Sequence, residues 1–122
     1  MIFSLFARTM RCTIRSAMVE LESGSWVGHY VQRGTRSPQR MVLEFADGLL
    51  RGDGIDDIGP FNIDGEYRVV GDEVRLGWVK TYEEAHSVMY LGVLRQGSIT
   101  GRWDIGGFGD QFELAFSPEE VE

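Results

Sequence analysis

Apolar and polar residues alternate along most of the chain between Gly24 and Phe116. The alternation is clearest over residues 61–69, where every second position holds an apolar, aromatic or glycine residue and the positions between are polar. A period of two is typical of β-strands that bury one face, so the pattern predicts strands and not helices. Eight segments fit it: residues 25–31, 40–46, 49–54, 61–69, 73–81, 87–94, 98–105 and 111–116.

Turn-forming residues separate these segments. Asp47-Gly48 has the composition of a tight hairpin turn. Because the connections are mostly short, consecutive strands are expected to pair antiparallel, and eight such strands remove their edges by closing into a tube. The predicted fold is all-β, an eight-stranded antiparallel up-and-down (meander) barrel, and a two-sheet sandwich with longer crossover loops is the alternative. Longer connections are predicted at residues 32–39, 55–60, 82–86 and 106–110.

Glycine is abundant, at 16 of 122 residues, which fits a chain with many turns and close backbone contacts. Five glycines lie inside predicted strands, where a missing side chain allows the strong coiling that a small barrel needs. The interior of an eight-stranded barrel is either filled by side chains or just wide enough for one small ligand. The five glycines are Gly28, Gly65, Gly77, Gly92 and Gly101.

Residues 1–19 form a separate basic extension, and the barrel domain is predicted over residues 20–117, followed by an acidic tail at 118–122. The extension carries three arginines and no acidic residue, and its apolar residues recur at helical spacing. Three interpretations stay open for it: a dispensable extension with a true start at Met18, an amphipathic targeting or membrane-surface helix, and an element packed on the barrel.

Charge and cysteine content narrow the partners and the compartment. The net charge is −7 at pH 7, and all 19 acidic residues follow residue 19. A body this acidic repels phosphate backbones, so no nucleic-acid partner is expected. Cys12 is the single cysteine, which excludes an internal disulfide and favours a reducing, cytoplasmic location. No apolar stretch is long enough to span a membrane.

The first predicted strand opens with Gly24-Ser25-Trp26, which resembles the G-x-W signature of the calycin barrels, including the lipocalins and avidins. In those families the tryptophan closes one end of the barrel and an arginine near the last strand packs across it. The resemblance implies that Trp26 is the barrel plug and that Arg102 is its arginine partner, with Arg95 as the second choice. The paired lipocalin cysteines are absent, and none of the biotin-binding residues of avidin is carried over.

Further motifs extend through the chain: W-x-G-x-Y from Trp26, a glycine-rich stretch from Gly52 that contains Asp56, K-x-Y from Lys80, V-x-Y-x-G from Val88, and a final G-x-W. Together they resemble a scattered group of small uncharacterised barrel domains and a barrel of some F-box proteins that serves protein recognition. This resemblance supports the barrel fold and implies no particular activity.

Six residues are predicted to contact a ligand. Alternation places aromatic side chains on the inner strand faces, where they either fill the tube or line a cavity for an apolar or ring-bearing ligand. Lys80, the only lysine, is expected either at the rim, paired with Glu83 or Glu84, or in the barrel mouth, gripping a ligand carboxylate. The six candidates are Trp26, Tyr30, Trp78, Lys80, Tyr90 and Trp103.

No catalytic, metal or cofactor motif is evident. Asp53, Asp56 and Asp57 share one connection and are interpreted as turn residues, because the alternative of a Ca²⁺ site lacks EF-hand spacing. His29 and His86 join no nucleophile or third ligand in a recognisable motif, so they are interpreted as half-exposed residues. We therefore expect no catalytic residue, no metal and no cofactor.

Three functional hypotheses follow. The first is a non-catalytic barrel that binds a small, partly apolar ligand in one mouth, with Trp26 closing the other end. The alternative is a protein-interaction or oligomerisation module with a solid aromatic core, which docks a partner or forms a homo-oligomer through Val42, Met89, Leu91 and Val93. A calycin-type isomerase or cyclase is the third and rests on fold analogy alone. A cavity of about 300 Å³ would favour the first hypothesis, and a filled interior the second.

Overall fold

The computed structural model describes residues 13–16, 19–83 and 86–118. No helix long and apolar enough to cross a membrane occurs among these residues. The described chain is built from ten strands: β1 (Thr13–Ser16), β2 (Val19–Glu22), β3 (Gly24–Gln32), β4 (Thr35–Ala46), β5 (Leu49–Asp56), β6 (Pro60–Val70), β7 (Glu73–Tyr82), β8 (Ser87–Arg95), β9 (Ser98–Ile105) and β10 (Phe108–Phe116).

Strands β3 to β10 form a closed barrel. Each strand pairs antiparallel with the next along the chain, and β10 pairs with β3 to complete the ring. Trp26 shows the closure, because it lies opposite Met41 on β4 and opposite Phe116 on β10. The ring leaves none of its strands with an unpaired edge. The all-β class, the count of eight barrel strands and their up-and-down order, all predicted from the alternation, are confirmed.

Two predicted connections are mostly strand. The polar loop predicted at residues 32–39 is wrong, because β4 begins at Thr35 and the turn contains only Arg33 and Gly34, both with positive φ (52° and 79°). The turn predicted at 106–110 shrinks in the same way to its two glycines. In both places the strand extends past the residues that alternate between apolar and polar. Backbone hydrogen bonds to neighbouring strands hold the extra residues, and such bonds leave no pattern in the sequence.

Inward-facing glycines let the strands approach and coil tightly. A Cβ atom on Gly28 would lie 1.9 Å from the carbonyl oxygen of Glu113, and one on Gly101 would lie 1.9 Å from that of Leu91. No side chain fits at either position, as the glycine pattern predicted. Gly77 differs because it faces outward, where a Cβ would meet the end of the Leu91 side chain at 3.1 Å. Gly77 therefore does not mark a close backbone approach of the kind found at Gly28 and Gly101.

Side chains fill the middle of the barrel. Inward-facing residues of the eight strands form one buried apolar cluster. At its centre Trp78 stacks on Tyr90, with ring centroids 5.4 Å apart, and Phe112 meets both rings edge-on. Aromatic rings in direct contact occupy this layer. The structure therefore favours a solid core over a ligand cavity in the middle of the tube.

The segment before the barrel forms a β-hairpin. Strands β1 and β2 pair antiparallel, and β2 contacts β4, β7 and β8 at one end of the tube. Leu21 on β2 is fully buried there. Residues 13–16 are thus a strand and not the end of the helix considered above, whereas the rest of that helix, residues 1–12, lies outside the described residues. The acidic tail from residue 119 onward lies outside them as well.

Candidate functional site

One end of the barrel, the closed end, is sealed by Leu21, Trp26, Phe45 and Phe116. Trp26 is 1% exposed and meets the rings of Phe45 and Phe116 edge-on, at centroid distances of 6.2 and 5.6 Å. Its indole Nε1 donates a hydrogen bond to the backbone carbonyl of Glu22 at 3.0 Å. Trp26 therefore joins β2 to the barrel and fills this end.

Arg102 does not pack across Trp26. Side chains alternate along β9, so that Trp103 is buried while Arg102 is exposed on the outer face, opposite Gln111 on β10. Trp26 lies opposite Phe116, which is five residues further along β10. The arginine role implied by the calycin resemblance is therefore wrong for Arg102.

The other end, the polar end, contains a buried ion pair. Lys80 Nζ lies 2.5 Å from Asp56 Oδ2, and the two side chains are 1% and 0% exposed. The hydroxyl of Tyr82 donates to the same carboxylate oxygen at 2.6 Å. The backbone N–H of Ile58 donates to the other oxygen at 2.9 Å. Asp56 is thus a turn residue, as interpreted from the sequence, and also the counter-ion of the only lysine.

Further contacts hold the Lys80 ammonium in place. It donates to Gln39 Oε1 at 2.8 Å and to the Tyr90 hydroxyl at 3.2 Å. With Asp56, these two oxygens engage all three donors of an ammonium group. Four aromatic rings surround the nitrogen at distances within cation–π range. They are Phe61 at 4.3 Å, Tyr30 at 4.9 Å, and Tyr82 and Tyr90 at 5.2 Å.

The buried position of Lys80 overturns the expectation of a rim residue paired with Glu83 or Glu84. Glu83 is exposed, and Glu84 lies outside the described residues. Because its charge is compensated by Asp56 and its donors are engaged, the ammonium does not present itself to a ligand carboxylate. Lys80 holds the polar end together instead.

Burial and charge set the protonation states of this cluster. Burial by itself would raise the pKa of Asp56, but hydrogen bonds from Lys80 and Tyr82 and the ammonium charge outweigh it, so the pKa is lowered. Burial lowers the pKa of Lys80, and the ion pair opposes that effect. Burial, reinforced by the nearby carboxylate charge, raises the pKa values of Tyr30, Tyr82 and Tyr90. The cluster is a charged pair among neutral phenols.

Tyr30 and Trp103 form the rim of the polar end. The Tyr30 hydroxyl donates to Asp57 Oδ1 at 2.5 Å and ties the β5–β6 loop to β3. The Tyr30 ring meets Trp103 edge-on at 6.5 Å, and Trp103 meets Phe108 at 5.8 Å. Trp103 Nε1 donates to the backbone carbonyl of Val31 at 2.8 Å. Phe108 is 51% exposed, so the rim presents apolar surface to solvent beside the Asp57 carboxylate.

Five of the six predicted contact residues lie in one connected cluster. Lys80 contacts Tyr30 and Tyr90, Trp78 stacks on Tyr90, and Trp103 joins through Tyr30. The sixth candidate, Trp26, lies apart at the closed end.

Sequence reasoning missed Gln39, Asp56 and Tyr82 as partners of the lysine. Asp56 lies in the glycine-rich motif from Gly52, and Tyr82 lies in the K-x-Y motif that begins at Lys80. These motifs could have indicated that the two residues act together with the lysine. Gln39 gave none, because it was assigned to the loop at residues 32–39.

Two buried N–H donors in the interior have no hydrogen-bond acceptor among the described residues. They are Nε2 of Gln39 and Nε1 of Trp78, in side chains of residues that are 3% and 1% exposed. Buried donors in proteins normally have a partner from the protein or from ordered water. The interior therefore contains two N–H groups that are able to donate hydrogen bonds to an additional oxygen atom.

A groove of about 460 Å³ lies over β3, β4 and β5 at the polar end. Val27, Pro38 and Ile55 give it an apolar surface, Ile55 is 53% exposed, and Arg40 lines it between Val27 and Ile55. Asp57 lines the same groove, as does the backbone region of Gln39 next to the ion pair. Its volume is in the range of small-molecule sites.

The other residues considered for chemistry do not gather here. Asp53 is exposed on the outer face of β5, whereas Asp56 points inward. Within residues 13–16, 19–83 and 86–118, no group of three or more His, Cys, Asp or Glu side chains is arranged to hold a metal ion. His86 lies against the Tyr82 ring at 5.0 Å, and His29 lies on β3, half-buried.

No protein-family profile matches the chain, and a search of curated proteins finds no match. Function is therefore inferred from the barrel itself, from its solid centre, its closed end and its polar end.

Proposed function

We propose that the protein is a non-catalytic binding barrel whose ligand site is the groove at the polar end. The observation that supports this is the position of a mainly apolar groove of about 460 Å³ directly outside the Asp56–Lys80 pair. Apolar walls with a few fixed polar groups are typical of small-molecule sites. The ion pair keeps the wall of the groove rigid, because it ties β5 to β7 across the interior.

The groove fits a small, partly apolar ligand that carries a hydrogen-bond donor. Val27, Pro38 and Ile55 would contact its apolar part. The Asp57 carboxylate accepts one hydrogen bond from Tyr30 and keeps further acceptor sites for an amine or hydroxyl group. The net charge of −7 attracts cations and repels anions. Arg40 also lines the groove, so an amine is favoured only in contact with the Asp57 carboxylate.

The proposed ligand lies on the wall of the barrel and not in its mouth, where the sequence predicted it. The stacked rings of Trp78 and Tyr90 occupy the lumen, and Lys80 is engaged with the protein itself. None of these three inner residues is available for direct contact. Tyr30, which anchors Asp57, remains the candidate from the original six that would sense a ligand.

We further propose kinship with the calycin barrels and a cytoplasmic location. Trp26, at the G-x-W position, fills the closed end in the way that the resemblance implies. Arg102 departs from the pattern, so the kinship rests on the tryptophan and on strand order. The location rests on the single cysteine, which fits a reducing compartment.

A thermal-shift screen of the full chain tests the ligand proposal. The probes are small amphiphilic amines and carboxylates matched to them in apolar part. Amines are expected to raise the melting temperature, because a ligand at 100 times its Kd stabilises by about 2.7 kcal/mol. Ile55→Lys should abolish the shift, because it places a cation in the groove that repels an amine. Leu49→Lys, at a similarly exposed position on the same strand, is the matched control and should keep it.

Two outcomes would refute the groove as the ligand site. One is the absence of any amine that raises the melting temperature. The other is an amine-induced shift that survives Ile55→Lys unchanged.

A protein-interaction module is the second candidate function, and a different observation favours it. The centre of the barrel is solid, and Met89 and Leu91 on β8 are 44% and 61% exposed. Val42, named with them from the sequence, is 48% exposed but lies on β4, away from β8 in the ring. Val93 is only partly exposed. The apolar patch is therefore confined to one side of the barrel.

A further inference from the structure

We infer that the outer face of β7 and β8 binds a second copy of this chain. Met89 and Leu91 lie side by side on β8, and Val79 and Gly77 are their neighbours on β7. These residues line a surface groove of about 680 Å³. Gly77 adds no side chain to this face, and the Leu91 side chain leans over it. The inference is independent of the small-ligand groove, which lies over other strands.

A row of residues across four strands carries opposite charges at its two ends. The register places Glu66 opposite Gly77, Gly77 opposite Leu91, and Leu91 opposite Arg102. Neighbouring strands lie about 4.8 Å apart, so Glu66 and Arg102 lie about 14 Å apart with the apolar pair between them. Both are exposed, and neither has an ion-pair partner in the part of the chain that the structure describes.

This row is complementary to itself. Consider a two-fold axis that lies in the interface, runs parallel to the strands and passes between β7 and β8. This axis places the row of one chain against the same row of the second copy in reversed order. Glu66 then faces Arg102 of the second copy, and Leu91 faces Gly77 of the second copy. Symmetry repeats each contact. Within each chain the Leu91 side chain leans over Gly77, so the two leucines of the dimer pack against each other above the two glycines.

The adjacent row is compatible with the same axis. Val79 faces Met89 of the second copy, which extends the apolar contact. At its margins Asp64 faces Asp104 of the second copy, two like charges on β6 and β9, the strands that also carry Glu66 and Arg102. Asp64 is compensated by Arg51 of its own chain at 3.5 Å. The repulsion between the aspartates is therefore partly neutralised, whereas the attraction between Glu66 and Arg102 is not.

The charge pattern favours a second copy over a different partner. A partner with a uniform charge would complement one end of the row and be repelled by the other. The chain itself offers the reversed order of charges. The chain also has a large net negative charge, so self-association needs local ion pairs of this kind to offset the repulsion.

Sedimentation equilibrium of the full chain tests the inference. We expect a species of twice the 13.8 kDa chain mass at micromolar concentrations. Leu91→Asp should abolish it and leave the circular dichroism spectrum unchanged, because Leu91 is 61% exposed in the single chain. Val42→Asp is the matched control: Val42 is 48% exposed, lies on β4 on the other side of the ring from β8, and its variant should remain dimeric.

Charge reversal tests the symmetry itself. Glu66→Arg places arginine opposite arginine in both halves of its homodimer, and Arg102→Glu places glutamate opposite glutamate. Each variant alone should dimerise at least about tenfold more weakly than the wild type, since like charges repel. An equimolar mixture should form a heterodimer, because each chain then supplies the sign that the other lacks. The double variant should recover the homodimer.

Three results would overturn the inference. One is a wild-type chain that stays monomeric throughout the micromolar range. This result would overturn the inference even if the chain bound a different protein through Leu91. Another is a dimer that persists in Leu91→Asp. The third is a mixture of the two charge variants that associates no better than either variant alone, because that result would place the interface elsewhere.

Discussion

The ammonium of Lys80 and the carboxylate of Asp56 meet inside the barrel, 2.5 Å apart and sealed from solvent. The two residues lie on β7 and at the end of β5, which are separated by β6 in the ring. Their contact therefore crosses the interior and does not follow the sheet. Because buried charges lose their hydration, such a pair is tolerated only with complete hydrogen bonding, which Gln39, Tyr82 and Tyr90 provide.

Removing the charge of Asp56 should strongly destabilise the barrel. Asp56→Asn leaves the Lys80 ammonium buried without a counter-charge, and the expected loss is about 3–5 kcal/mol in the free energy of unfolding. Urea denaturation followed by tryptophan fluorescence measures it. Asp53→Asn, on the exposed outer face of the same strand, is the matched control and should change stability by less than about 0.5 kcal/mol.

Removing both charges should cost less than removing one. Asp56→Leu combined with Lys80→Met replaces the ion pair by apolar side chains, and such replacements in proteins are often neutral or stabilising. We expect the double variant to be more stable than Asp56→Asn in the same urea experiment. A double variant as unstable as the single one would show that Gln39 and the tyrosines, and not the unpaired charge, dominate the loss.

Stability should fall in acid because of Asp56. Its pKa is lower in the folded chain than its ordinary value of 3.8, so the unfolded state takes up the proton first as the pH falls. Above the ordinary pKa of the carboxyl group, the ionised carboxylate contributes its full stabilisation. This stabilisation is lost as the pH falls further, through the lower pKa that Asp56 has in the folded chain. Urea midpoints measured in this acid range should drop for the wild type and change less for Asp56→Asn. Equal slopes for the two proteins would contradict the assignment.

Stability should also fall in alkali because of the buried phenols. The pKa values of Tyr30, Tyr82 and Tyr90 are raised above the ordinary value of 10.0, so the unfolded state loses these protons first as the pH rises. The folded state is then progressively disfavoured above that value. Ultraviolet titration at the tyrosinate band should show these three phenols ionising only together with unfolding. Ionisation of all tyrosines in a still-folded chain would contradict their burial.

The inner glycines should not tolerate alanine. A Cβ at Gly101 would lie 1.9 Å from a backbone oxygen, so Gly101→Ala forces neighbouring strands apart and should cost at least about 3 kcal/mol. Gly77→Ala is the matched control, since its Cβ meets only the end of a leucine side chain at 3.1 Å. Its cost should stay below about 1 kcal/mol. Thermal denaturation at low chain concentration compares the two, and similar losses would refute the difference between inner and outer glycines.

The hairpin strand β2 should contribute to stability through Leu21. This leucine is fully buried at the closed end, and Leu21→Ala should cost about 2–5 kcal/mol, as buried leucine truncations do. Urea denaturation measures the loss. A cost near zero would mean that β2 rests on the barrel without supporting it, and that the barrel is complete from Gly24 onward.

The sequence by itself determined the strands and the direction of their side chains. A period of two is a local property, so it placed Trp78, Tyr90 and Trp103 inside before any pairing was known, and all three are buried. The same alternation also places Arg102 outside, next to an inward Trp103. The resemblance to calycins, and not the alternation, produced the error for that arginine.

Tertiary structure alone decided which inward side chains meet. Asp56 contacts Lys80 because the stagger of the closed ring brings the end of β5 to the height of the lysine on β7, and Gln39 joins them from a segment with no alternation of its own. Stagger and closure arise from backbone pairing, which is nearly indifferent to residue type. Local patterns therefore specify which face a residue occupies, while contacts across the lumen depend on the geometry of the whole ring.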